Sequence, residues 1–161
     1  MGTQSKGMFL ANGKSWDNIG EPEGLPGNKI NGLLRLDGKL LIATDKGLSV
    51  MDRSLAIDNG INKKFNITGQ EIFAIAKEKL ISGEERVWLY GENWLGYFKK
   101  GTEKLIRVKE NLGFHLAGVP YKILPDTFSG VYVANPYTVY YINYRTGEDD
   151  HGGGIRLEDF T

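Results

Sequence analysis

The sequence predicts an all-β fold built from repeated four-stranded antiparallel units, and three observations carry that expectation. Three segments superpose without gaps: residues 41–51 (LIATDKGLSVM), 88–98 (WLYGENWLGYF) and 132–142 (YVANPYTVYYI). Each reads as an apolar triplet, a polar turn and an alternating apolar strand. A partial fourth copy opens the chain, where Lys6-Gly7-Met8-Phe9-Leu10 mirrors Lys46-Gly47-Leu48-Ser49-Val50. Glycine supplies 22 of the 161 residues and proline only 5, which fits many short strands and tight turns rather than a disordered tract. A strand-built period of roughly 40–47 residues is that of a β-propeller blade, whereas helical repeats of that length carry a 3.6-residue pattern. The chain has room for about three to four blades, and propellers usually close with about 4–8. It therefore reads as a partial or oligomer-completed propeller. The alternatives are a fragment of a larger protein, a short protein that closes a ring with copies of itself, and an open stack or distorted four-bladed form. An open stack exposes an edge strand and an apolar blade face, so self-association is expected.

The elements follow in order. Residues 1–6 read as an N-terminal tail. Residues 7–143 read as propeller-like repeats anchored at 41–51, 88–98 and 132–142. Residues 144–161 read as a C-terminal tail or an extra outer strand. Asn12-Gly13 after Met8-Phe9-Leu10-Ala11 is a turn signal. Asp37-Gly38 between Leu33-Leu34-Arg35-Leu36 and Leu40-Leu41-Ile42 is a hairpin signal. Only residues 71–80 could support a helix, through Ile72, Ile75 and Ala76. A strand pair is preferred there, because the segment occupies the slot of residues 30–36, as 121–124 does in the last repeat. Leu41, Trp88 and Tyr132 share one repeat position. They are expected to pack between blades rather than to form a ligand-stacking platform.

The chemical motifs are near misses. Lys+Arg and Asp+Glu are 20 each, so the formal net charge is zero, which argues against a nucleic-acid binder. There is no cysteine, which excludes a disulfide scaffold, a Cys-ligated zinc site and a thiol nucleophile. No apolar run approaches the ~18 residues of a membrane span. The first residues lack a signal peptide's apolar region, which leaves open a cytosolic chain or one without its leader. Gly13-Lys14-Ser15 resembles the end of a phosphate-binding loop, but Met8 stands where the motif needs glycine. His151-Gly152-Gly153-Gly154 resembles an esterase oxyanion segment, but no G-x-S-x-G elbow accompanies it. His115 and His151 have no ligand spacing, and Glu148-Asp149-Asp150 reads as a solvated acidic turn. Glu84, Glu85 and Glu92 fall on turns with no pairing legible. Asn66-Ile67-Thr68 is a glycosylation sequon, relevant only in a eukaryotic secretory setting. No catalytic residue, metal site or cofactor is expected.

Residues 37–52, DGKLLIATDKGLSVMD, resemble the two-component regulator propeller repeat, which looks like D-G-x-L-W-I-G-T-x-x-G-L-x-x-[YF]-D. The lead-in at 24–30, GLPGNKI, is similar to the family's G-L-P-x-N-x-V. Leu41, Ala43 and Met51 depart from the pattern, the second copy restores Trp88, and the third keeps only the apolar rhythm. The resemblance implies the periplasmic sensor region of a membrane histidine kinase, often of the hybrid type found in polysaccharide-degrading gut bacteria. It also implies a carbohydrate-type signal. Loops at one propeller rim carry variation while strands carry packing. The turns joining second and third strands place Asp45, Glu92, Asn93, Asn135 and Tyr137 at equivalent positions, the candidate binding residues. The expected partners are a carbohydrate ligand and neighbouring or self-associating blades, with no nucleic acid and no membrane insertion. The other readings are a sugar-active propeller hydrolase or lyase and a stand-alone, self-associating repeat protein.

Overall fold

In the computed structural model the described residues are 1–11, 13–102, 104–112, 120–126, 130–143 and, for the backbone alone, 155–156. The chain divides into two units, Met1–Phe73 and Ala74–Thr161. The first opens with an antiparallel pair, β1 (Met8–Ala11) and β2 (Trp16–Ile19), with Met8 opposite Ile19. A single 3-10 turn at Glu21–Glu23 follows and is ended by Gly24 at φ 109°, a conformation that only glycine adopts without strain. Leu25, next in line, is buried. The GLP lead-in thus works as a turn stop followed by a core anchor.

A four-stranded meander comes next: β3 (Ile30–Leu36), β4 (Lys39–Thr44), β5 (Gly47–Met51) and β6 (Ile57–Asp58). Asp37 and Gly38 sit at φ 50° and 76°, the two positive values that a two-residue hairpin turn demands. Met8, Ile19, Leu25, Ile30, Ile42 and Met51 form one buried cluster that joins the β1–β2 pair to this sheet. A short helix, α1 (Gly60–Phe65), follows β6. The sequence reading did not expect it. Six residues show no helical period, and what holds the turn is tertiary. Phe65 is buried, and the buried Asn62 Oδ1 accepts the Leu48 N–H at 2.7 Å.

The second unit contains most of one meander and all of another. The first is β7 (Ile72–Lys79), β8 (Glu85–Gly91), β9 (Trp94–Lys99) and β10 (Leu105–Glu110). The other is β11 (Lys122–Pro125), β12 (Gly130–Ala134), β13 (Thr138–Asn143) and β14 (Ile155–Arg156). The register repeats from sheet to sheet. Leu41 lies opposite Val50, Trp88 opposite Tyr97, and Tyr132 opposite Tyr141. Even the ring geometry recurs, with centroids 4.9 Å apart in both aromatic pairs. The molecule is all-β with blade-like four-stranded repeats.

Two expectations need correction. Residues 71–80 do not make a strand pair: 72–79 form one continuous strand, the first of its sheet. Leu41 and Trp88 are buried at 3% and 0% exposure, but Tyr132 at the same register is 39% exposed. Its ring stands against Tyr141, with centroids 4.9 Å apart. His115, Glu148-Asp149-Asp150 and His151-Gly152-Gly153-Gly154 lie outside the described residues. Among the described residues no helix is long and apolar enough to cross a membrane.

Candidate functional site

The three turns between second and third strands are built differently, and the differences decide what each can do. In the first, Thr44 Oγ1 donates to the Gly47 carbonyl at 2.9 Å and accepts the Lys46 N–H at 3.1 Å. Asp45 is tied down rather than presented. Its N–H donates to the Lys29 carbonyl at 3.2 Å, and its Oδ1 accepts the Lys29 N–H at 3.4 Å. The same Oδ1 occupies the space that a side chain on Gly27 would need. Asp45 therefore fastens the lead-in segment to the turn. Lys46 beside it pairs with Glu21 at 2.6 Å, and that hydrogen bond raises its pKa.

In the second turn Glu92 and Asn93 are exposed, and Asn93 offers its carbonyl to the Leu112 N–H at 3.2 Å. Both residues are exposed, so this turn presents polar groups to solvent. The acids at the other end of β8 are held in ion pairs. Glu84 accepts from Lys99 Nζ and from Arg86 Nε, each at 2.7 Å, and the hydrogen bonds from Lys99 and then Arg86 hold its carboxyl below the usual range. Glu85 is held low in the same way by Lys77 and Lys100.

The third turn borders a cavity. Asn135 is buried at 8% exposure, and its Oδ1 accepts the N–H groups of Tyr137 and Thr138 at 2.8 and 2.9 Å. Two donors on one oxygen settle which end of the amide is which. The other end, Nδ2, is buried with no hydrogen-bond partner among the described residues. A buried, unsatisfied amide donor costs roughly 1–3 kcal/mol, so the turn carries a deficit that an acceptor would remove. Asn135 lines a pocket of about 190 Å³ together with Pro120, Lys122, Ala134 and Pro136. Tyr137, at the tip, is 64% exposed.

Of the five residues selected from sequence, Asn135 and Tyr137 meet in one turn and only Asn135 lines the pocket. Asp45 belongs to the first unit, and Glu92 and Asn93 to a separate turn. Sequence reasoning missed Pro120, Lys122 and Ala134, and the strand alternation of β11 and β12 was the available signal. It also missed Glu78, buried at 3% exposure, whose Oε2 accepts the Trp88 indole N–H at 2.8 Å. Among the described residues no group of three His, Cys, Asp or Glu side chains is placed to hold a metal ion.

No protein-family model matches the chain. No curated protein matches it either. Among solved structures, the chain is similar to the extracellular domain of a protein described as a hybrid two component system in B. thetaiotaomicron, with a TM-score of 0.64 and 14% identity. The alignment covers 96% of this chain and 20% of that one, so the chain spans about a fifth of its neighbour's length. At that identity the likeness is one of fold alone.

Proposed function

We propose that the chain is a non-catalytic binding segment of a β-propeller sensor in a two-component signalling protein, related to the regulator propeller repeats that residues 24–52 resemble. The carrying observation is the shared fold over 96% of the chain with an extracellular domain of that signalling class. In this reading the segment lies outside the cytoplasm and responds to a carbohydrate-type signal. The turns bearing Glu92, Asn93, Asn135 and Tyr137 form the recognition rim, with Asp45 bracing its own turn. Tyr137 offers an exposed ring for a sugar face, and Asn135 and Lys122 offer polar groups beside apolar walls.

Thermal unfolding of the 161-residue chain in the presence of a panel of neutral and acidic oligosaccharides tests this. A sugar that binds the folded state raises Tm in a concentration-dependent way. The rise should be lost in Tyr137→Ala, an exposed position whose truncation leaves the sheet intact. A flat response to every oligosaccharide, or an equal rise in Tyr137→Ala, would overturn the rim assignment.

A further inference from the structure

We propose that the exposed face of the last sheet is a docking surface for a second copy of this chain, bound head to tail through the face that β1 and β2 turn outward. The argument starts from burial along equivalent strands. In β8 four consecutive side chains, Val87, Trp88, Leu89 and Tyr90, are all 0% exposed, so both faces of that strand are covered. In β12 the pattern alternates: Val131 and Val133 are 0% exposed, while Tyr132 between them is 39% exposed. In β11 Ile123 is 7% exposed and Leu124 67%. Leu124 and Tyr132 are cross-strand partners, and Tyr132 is in turn opposite Tyr141. They form an apolar stripe on one face of a sheet whose predecessor has no such stripe in water.

The second unit shows what covers this register when it is covered. Tyr121 stands edge-on against Tyr90, with ring centroids 5.0 Å apart. Tyr90 lies on the Trp88 face of β8, and Tyr121 shares the face of Ile123 by strand alternation. The Trp88 face therefore meets the opposite, leading face of another sheet of the same kind. Ala134 holds the repeat position of Tyr90 and is paired with Lys122. With alanine in a tyrosine's place, the pocket of about 190 Å³ opens there. The complement of the Leu124–Tyr132 face is thus a leading face, not a copy of itself.

This chain carries such a face. Met8, Leu10 and Ile19 point into the buried cluster. By alternation Phe9 and Ala11 point away from it, and Trp16, opposite Ala11, points with them. Trp16 is 64% exposed and Met1, whose carbonyl accepts the Phe9 N–H, is 72% exposed. Two unlike apolar faces on one chain of zero net charge make a heterologous contact, which joins copies head to tail rather than about a two-fold axis. The proposal does not depend on the sensor reading.

The test uses the 161-residue chain with light scattering and native mass spectrometry. The unaltered chain should form species larger than a monomer, with mass rising with concentration. Leu124→Lys/Tyr132→Lys and, separately, Trp16→Lys should each be monomeric while keeping the far-ultraviolet circular dichroism of the parent. Mixed in equal amounts, the two variants should form a one-to-one dimer, because each retains the face the other lost. A parent that stays monomeric at every concentration sinks the proposal. So does association that survives either substitution, or a mixture that fails to pair.

Discussion

Glu78 is a carboxylate buried beneath Trp88, and its Oε2 takes the indole N–H at 2.8 Å with Arg86 Nη1 3.9 Å away. Arg86 also lies over the Tyr97 ring, 4.6 Å from its centroid. Removing one member of a buried, hydrogen-bonded charge group costs more than the bond itself is worth, because its partners stay desolvated. Glu78→Ala should lower unfolding stability in urea by about 2–4 kcal/mol. Glu78→Gln keeps an acceptor for the indole and should lose less; equal losses would show that the hydrogen bond contributes nothing. Glu84 and Glu85 make a pH prediction. Their folded pKa values lie below the ordinary 4.5, chiefly through hydrogen bonds from Lys99 and Lys77 respectively. Depressed folded values mean that this stabilisation is complete above pH 4.5 and is lost as pH falls through the lowered values. Tm measured on acidification should therefore drop below that point. Glu84→Gln should start lower at neutral pH and fall less steeply. An unchanged acid slope would show the ion pairs to be inert. Tyr90 is displaced the other way: burial, with Tyr121 and Tyr140 beside it, keeps its phenol protonated well above the usual range.

At the scale of elements, the turns and the helix were legible to very different degrees. Asp37-Gly38 announced its hairpin because few residue pairs accept two successive positive φ values. Gly38→Ala places a Cβ at φ 76° and 3.3 Å from the Arg53 guanidinium, and should cost about 1 kcal/mol in urea unfolding. No cost would mean that the turn has another conformation in solution. Helix α1 gave no such signal, since its formation depends on Asn62 reaching the Leu48 N–H in a neighbouring strand. Asn62→Ala should cost roughly 1–3 kcal/mol, the penalty of an unsatisfied buried donor, and a loss near zero would sever α1 from the sheet's stability. Residues 71–80 were legible as strand by their repeat slot, but their division into two strands was not borne out. Eight residues continue unbroken because no turn residue interrupts 72–79. The five rim residues illustrate the same limit. Equivalent turn positions were readable, yet only the structure shows Asp45 bound to its own lead-in and Asn135 folded under the turn with an idle amide nitrogen.

For the whole molecule, zero net charge removes the long-range repulsion that would keep copies apart. Shifting the pH away from neutrality in either direction should reduce the association of the unaltered chain, as read by light scattering at fixed ionic strength. Association that grows with net charge would contradict an apolar contact. What the sequence by itself determined is the repeat. Strand, turn and strand recur at offsets that the structure keeps residue for residue, because a two-residue side-chain period and a short list of turn residues are local properties of the chain. What only the tertiary structure decided is which copies of that repeat are covered. Leu41, Trp88 and Tyr132 are interchangeable as sequence positions, yet the last stands 39% in water. Burial is a property of what lies above a residue, and no local pattern records it.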